Sequence, residues 1–193
     1  MIKKKKQLKQ ILYEEKKFYL PKESAIELII TSDNKFKLFK YVKTLRKCEY
    51  HYNNRDRFIN RFCYVFLRRK KNILGRKLGV EMSENSFEQG LMIHHSQGIV
   101  VNGYARIGKN CILHGNNCIG NNGVSYDAPV LGNGVRLGVG AKIIGNVTIA
   151  DNVTIAAGAV VIESCNIEGA VLAGVPAKCV KVPKITCEVK NEQ

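Results

Sequence analysis

No apolar run in this chain is long enough to cross a membrane. The longest, Phe62 to Leu67, is six residues, where a span needs about eighteen or more. The opening stretch MIKKKKQLKQILYEEKK has a basic head with no apolar segment behind it, so it does not read as a secretory signal, and a cytoplasmic location is expected. The seven cysteines (Cys48, Cys63, Cys111, Cys118, Cys165, Cys179 and Cys187) are odd in number and lack CxxC spacing. That argues against a disulfide framework or a zinc site and for reduced thiols used in packing. No aromatic-interleaved RNA motif and no zinc finger is present, which leaves nucleic acid as a poor partner, although a helix-turn-helix stays compatible with the pattern.

Acidic residues are scarce in one part only. Residues 1–80 carry 23 Lys+Arg against 7 Asp+Glu, whereas residues 81–193 carry 8 against 9. The whole positive excess, +16, therefore lies on the N-terminal part. Such a field attracts nucleic acid, anionic lipid headgroups or an anionic polymer; it is equally the mark of solvated helix faces. Residues 1–78 do read as helices. Leu8, Ile11 and Leu12 recur at helical spacing, as do Leu38, Val42 and Leu45, and then Phe58, Phe62 and Val65 with Ile59 and Phe66 widening the stripe. Ser32-Asp33-Asn34 supplies an N-cap, and Pro21 starts a short segment through Ile30. These stripes suit core and subunit contacts, and helices apolar on one side and basic on the other also suit peripheral contact with an anionic membrane surface.

After Gly79 the period changes to six. Val101, Ile107, Leu113, Ile119, Ser125, Leu131, Leu137, Ile143, Ile149, Ile155, Val161 and Ile167 hold one register, and eleven of the twelve are branched aliphatics. The residue four further on is mostly small, from Ala105 and Cys111 to Ala159 and Cys165. A period of six fits neither a helix nor an alternating strand. It fits a short strand and a tight turn repeated around a coil, one aliphatic pointing inward per side. Lys109-Asn110, Gly132-Asn133-Gly134 and Asp151-Asn152 supply turns where positive φ is needed. Ser125 breaks the register and predicts a loop extruded over 121–129.

Three segments, GLMIHHSQGIVVNGYARIGKNC, APVLGNGVRLGVGAKIIGNVTIADNVTIAAGAVV and AGVPAKCV, resemble the hexapeptide-repeat acyltransferases, in particular the serine acetyltransferase branch and its relatives that acetylate sugars and surface polysaccharides. The resemblance covers about residues 73–182 and implies a left-handed parallel β-helix over 79–182, preceded by the helical region 1–78 and followed by a tail, 183–193. It further implies acetyl-CoA as co-substrate, no metal, and a homotrimer or a multiple of one with active sites between subunits.

Acetyl transfer to a hydroxyl needs a base, a thioester carbonyl held about 3 Å from the attacking oxygen, and donors for the oxyanion. By resemblance the histidine before the GIVV segment is the base, which is His95; His94 is then an acceptor contact or a neighbour, and His114 lines the acceptor site or the outer face. The family orients its base with a carboxylate about fifteen residues upstream, as in a hydrolase triad. An ungapped count gives Val80, and a one-residue shortening of GVEMSENSFEQG gives Glu81, with Glu84 as competitor. Where serine enzymes carry an Arg-His pair for the amino acid, this chain has Asp127-Ala128. The expectation is therefore a sugar or polysaccharide hydroxyl as acceptor, with Asp127, Tyr126 and Asn121 or Asn122 as polar contacts; the alternative is L-serine, as in the serine O-acetyltransferases of cysteine biosynthesis. The pantetheine arm is expected along Val139, Gly140 and Ala157, and a CoA phosphate at Lys178. Two rivals stand beside this reading: a zinc-dependent, carbonic anhydrase-like enzyme using His94, His95 and His114, and a basic scaffold that binds nucleic acid.

Overall fold

The computed structural model describes residues 1–183. All but the first residue of the expected tail, and Cys187 with it, lie outside the described residues.

Four helices come first: α1 (Lys5–Tyr19), α2 (Ala25–Ile30), α3 (Asn34–Tyr52) and α4 (Phe58–Leu78). Asp33 caps α3 by accepting from the Lys35 N–H at 2.7 Å, as the Ser-Asp-Asn triplet predicts. Helix α4 ends on Gly79 in the left-handed conformation, φ 63°, which glycine adopts without a Cβ penalty. Leu38, Tyr41, Val42 and Leu45 bury one face of α3 and join Tyr19 and the coil's Leu91 and Ile93 in one core.

The coil follows as short strands: β1 (Val80–Glu81), β2 (Met92–Ile93), β3 (Ile99–Val101), β4 (Arg106–Ile107), β5 (Ile112–Leu113), β6 (Cys118–Gly120), β7 (Val130–Leu131), β8 (Arg136–Leu137), β9 (Lys142–Ile144), β10 (Thr148–Ile149), β11 (Thr154–Ile155), β12 (Val160–Val161), β13 (Val171–Gly174) and β14 (Ala177–Lys181). They stack into three sheets, β1-β3-β6-β9-β12, β4-β7-β10 and β2-β5-β8-β11-β13-β14. Every pairing is parallel except β13 with β14, which closes the coil with an antiparallel hairpin. Each inward aliphatic from Val101 to Val161 is buried apart from the predicted break at Ser125, and burying such a side chain contributes about 1.5–3 kcal/mol. Rungs Cys118 to Lys142 and Lys142 to Val160 are 24 and 18 residues apart. The six-residue excess is the loop predicted over 121–129.

One register position fails. Ile167 is 44% exposed, and Cys165 and Leu172 take the inward places. The spacing shrinks here, Ile149 meeting Cys165 and Ile155 meeting Leu172, so a strict count of six slides off the rung. The turns behave as expected: Asn110 and Asn152 have φ of 56° and 59°. All six cysteines among the described residues are free, with Cys111 and Cys165 buried inside the coil.

Charge buried between helices and coil fixes their relation. Arg46, 1% exposed, reaches Glu15 at 2.7 Å, Glu49 at 3.0 Å and the Phe87 carbonyl at 2.9 Å. Glu15 also accepts from the Gly90 N–H at 3.1 Å. The Tyr19 hydroxyl donates to the Leu91 carbonyl at 3.2 Å and accepts from the Ile93 N–H at 2.9 Å. Helix α1 thereby holds the chain through Gly90, Leu91 and Ile93, immediately before His94.

Candidate active site

Four consecutive turns stack at one corner of the coil. The register Met92–Ile112–Arg136–Thr154 places His94-His95, His114-Gly115, Gly138-Val139-Gly140 and Ala156-Ala157-Gly158 one above the other. Backbone bonds tie the column: His94 N–H to Leu113 (2.9 Å), His114 N–H to Leu137 (3.1 Å), Gly140 N–H to Gly115 (3.0 Å) and Gly158 N–H to Val139 (2.8 Å). At about 4.8 Å per rung the column runs on the order of 15 Å. Residues spread over more than sixty positions of sequence thus share one edge, with Lys178 following where Ala173 pairs with it at the end of the same sheet.

Within that column His94 and His114 stack, ring centroids 4.7 Å apart and planes 11° from parallel. His114 Nδ1 lies 2.9 Å from the Leu137 carbonyl; a carbonyl only accepts, so Nδ1 carries a proton and Nε2 is left free of that bond. Burial, then the neighbouring charges of His114 and His95, hold the His94 pKa below the ordinary histidine value. His95 is exposed, its ring 6.4 Å from that of His94. Gly115 lies directly above it: a Cβ there would meet His95 Cβ at 3.1 Å with φ at 109°, so the glycine keeps room for the imidazole. Face-to-face rings do not converge their nitrogens on one point, and among the described residues no group of three or more His, Cys, Asp or Glu is placed to hold a metal ion.

Asn117 was not foreseen as a site residue. It occupies an inward position filled elsewhere by Ala, Cys or Val, and is 1% exposed. Its Oδ1 accepts from the Gly115 N–H at 2.9 Å and its Nδ2 donates to the Gly138 carbonyl at 2.7 Å. It therefore locks the histidine turn to the next turn of the column. A polar residue at an apolar repeat position was the signal that could have found it.

The two carboxylates differ. Glu84 is committed elsewhere: it pairs with buried Lys71 at 2.8 Å, and although burial opposes it, the Lys71 hydrogen bond and charge hold its pKa below the ordinary value. Glu81 is exposed on β1, paired in register with Val100, and lines a groove of about 510 Å³ between α4 and the first sheet. No hydrogen bond among the described residues joins it to His95. The loop residues Asn121, Tyr126 and Asp127 leave the coil after β6, at the end of the first sheet rather than at the histidine column. Asn121 donates to the Ser125 carbonyl at 2.8 Å, Tyr126 is 81% exposed and meets Tyr104 edge-on, and the Asp127 N–H bonds the Ser125 hydroxyl. No hydrogen bond or ion pair among the described residues brings Asp127 to a histidine.

The expected cofactor residues form an open ledge. Val139 is 52% exposed, Gly140 has φ of 74°, and a Cβ at Gly158 would meet nothing within 4 Å. Lys178 makes an exposed pair with Glu163 at 2.9 Å, a contact of the kind that contributes little and yields readily to a phosphate.

The sequence pattern described as "Bacterial transferase hexapeptide (six repeats)" matches residues 128–163. A serine acetyltransferase of Helicobacter pylori is 31% identical over 121 residues, a match covering 61% of this chain and 70% of that one. The chain belongs to the hexapeptide-repeat acyltransferases. A serine acetyltransferase of Synechococcus elongatus is 33% identical over 105 residues, covering 53% of this chain and 43% of the relative; the match spans less than half of that longer protein. The crystal structure of Neisseria gonorrhoeae serine acetyltransferase in complex with serine superposes with a TM-score of 0.72 at 26% identity, over 92% of this chain and 70% of that one. An agreement of that extent carries the left-handed β-helix and its N-terminal helical region.

These relatives correct the expectation about the acceptor. They are serine acetyltransferases, so the sugar or polysaccharide acceptor is overturned in favour of the alternative. The inference had rested on Asp127 repelling a carboxylate at the site, and within the chain no contact holds Asp127 there.

Proposed function

We propose that this hexapeptide acyltransferase is a serine O-acetyltransferase, moving an acetyl group from acetyl-CoA to the L-serine hydroxyl. The observation that supports it best is the column of four turns, which sets His95 at one end of an open ledge in a chain whose relatives act, by name, on serine. Acetyl-CoA supplies the activated acyl group. Val139, Gly140 and Ala157 offer it backbone without bulk, and Lys178 offers a cation to its phosphates.

His95 acts as the general base. Its imidazole takes the hydroxyl proton as the oxygen attacks the thioester carbonyl, and returns that proton to the departing CoA sulfur, so the enzyme ends unchanged. Glu81 is the carboxylate proposed to orient that ring. The histidine edge and the 121–129 loop occupy separate places on one chain; a homotrimer completes the site by setting the loop of one subunit, with Asn121 and Tyr126, against the histidine edge of the next. His94 and the Nε2 of His114 then face the acceptor as hydrogen-bonding groups.

The test is free-thiol release from acetyl-CoA with L-serine as acceptor, for the wild-type chain and for His95→Ala. The substitution should leave folding and acetyl-CoA binding intact and lower turnover by about 10²–10⁴-fold. Absence of O-acetylserine from the wild-type reaction, or an equal modest loss in His95→Ala and His94→Ala, overturns the assignment.

A further inference from the structure

Helix α4 presents an apolar face that nothing in the chain covers. Phe58, Ile59, Phe62, Val65 and Phe66 are 76%, 73%, 64%, 62% and 70% exposed. Their spacing puts them on one side of the helix, opposite buried Asn60, Lys71, Gly75 and Leu78. The side is set, therefore, by the packing of α4 on the coil, and the aromatic face is turned outward by it.

Charge around this face has one sign. Helix α4 contains Arg61, Arg68, Arg69, Lys70, Lys71, Arg76 and Lys77 and no acidic residue. Only Lys71 points inward to a carboxylate. By helical angle Arg61 and Arg68 flank one border of the apolar stripe and Lys70 and Lys77 the other, while Arg69 and Arg76 continue the stripe itself. A second copy packed in parallel would set Arg69 against Arg69; packed antiparallel, it would set Arg68 and Arg69 against Arg55-Asp56-Arg57, a segment that is still net positive. Either arrangement brings like charges together beside the contact. An aromatic face with a wholly cationic rim is matched instead by a surface that is apolar below and anionic above.

We infer that α4 docks this protein on an anionic lipid bilayer, with Phe58, Phe62 and Phe66 inserted at the headgroup boundary and Arg68, Arg69 and Lys70 on lipid phosphates. The aromatic side chains supply insertion, and the long basic side chains reach past them to the headgroups. The inference is independent of the acceptor, since α4 contributes no residue to the histidine column.

The experiment is co-sedimentation of the full chain with vesicles of phosphatidylcholine alone and of phosphatidylcholine mixed with phosphatidylglycerol. The wild-type chain should pellet with the mixed vesicles only, and raised salt should release it. Phe62→Glu with Phe66→Glu, at exposed positions that leave the core untouched, should weaken binding on the order of tenfold or more. Arg69→Gln with Lys70→Gln should weaken it by about tenfold or more while keeping the apolar face. Serine acetylation in solution should be unchanged in both variants, which separates failure here from failure of the proposed activity. A wild-type chain that stays in the supernatant overturns the inference. So does a Phe62→Glu/Phe66→Glu chain whose mass falls in light scattering without lipid, because a second copy then covers the face.

Discussion

The helical region and the coil solve the problem of burial in opposite ways. The coil buries aliphatics at nearly every inward position, with Ser86 and Asn117 as buried polar exceptions among the described residues. The helices bury ions: Glu15, Arg46 and Glu49 are each 1% exposed or less, and Lys71 is 5% exposed. An aliphatic ladder is indifferent to its neighbours beyond shape, so it can repeat. A buried ion cluster holds only if every partner is present, so it fixes a single placement of the helices on the first rungs. That placement sets β2, and with it the histidines.

The sharpest test of the difference is Arg46→Met. It leaves Glu15 and Glu49 buried without a counter-charge, and should cost about 3–5 kcal/mol in denaturant unfolding. Ile143→Ala, in the middle of the coil, should cost about 2–5 kcal/mol through a cavity alone. Its cost should not change with salt. If Arg46→Met proves the milder of the two, the clamp contributes no more than ordinary packing and the contrast between the regions breaks down.

Smaller effects refine the contrast. Asn117→Val gives the coil the residue type its repeat favours, yet strands the Gly115 N–H and leaves the Gly138 carbonyl with the Ala141 N–H alone. The expected loss is about 1–3 kcal/mol, with a raised KM for acetyl-CoA in steady-state assays as the ledge shifts. The smallest effect is in pH. The Glu84 pKa lies below its ordinary 4.5 in the folded chain, so the pair with Lys71 stabilises above that value and its contribution is lost as pH falls through the lower, folded one. Glu84→Gln should therefore lose less melting temperature than wild type on acidification through this range. Equal losses would mean that the pair is not ionised in the fold.

How far each region could be read from sequence follows the same division. A one-dimensional period is visible in one dimension: the register from Val101 to Val161, the break at Ser125 and the asparagine turns are all legible. Ile167 misled because the coil tightens at its end and the count does not. The clamp was invisible, since Arg46 and Glu15 are charged residues 31 positions apart and nothing in their spacing says that they are buried. The stripe on α4 was visible as a stripe, compatible with core, subunit contact or a membrane surface; within the chain it faces outward, so it is not core. The acceptor was misjudged because Asp127-Ala128, standing where serine enzymes carry an Arg-His pair, was given more weight than the likeness of the rest of the coil to serine acetyltransferases.

The lengthened rung has a consequence for how such a protein changes over time. Its excess over the neighbouring rung is six residues, one full side of the prism, so the strands beyond it return in phase and Leu131 still points inward. Extra residues at a corner are silent to the interior: the rungs from Val80 to Ile99 and from Ile93 to Leu113, 19 and 20 residues long, likewise keep their aliphatics buried. A corner of the coil is thus a slot in which whole segments can be exchanged while the histidine column at another corner stays where it is.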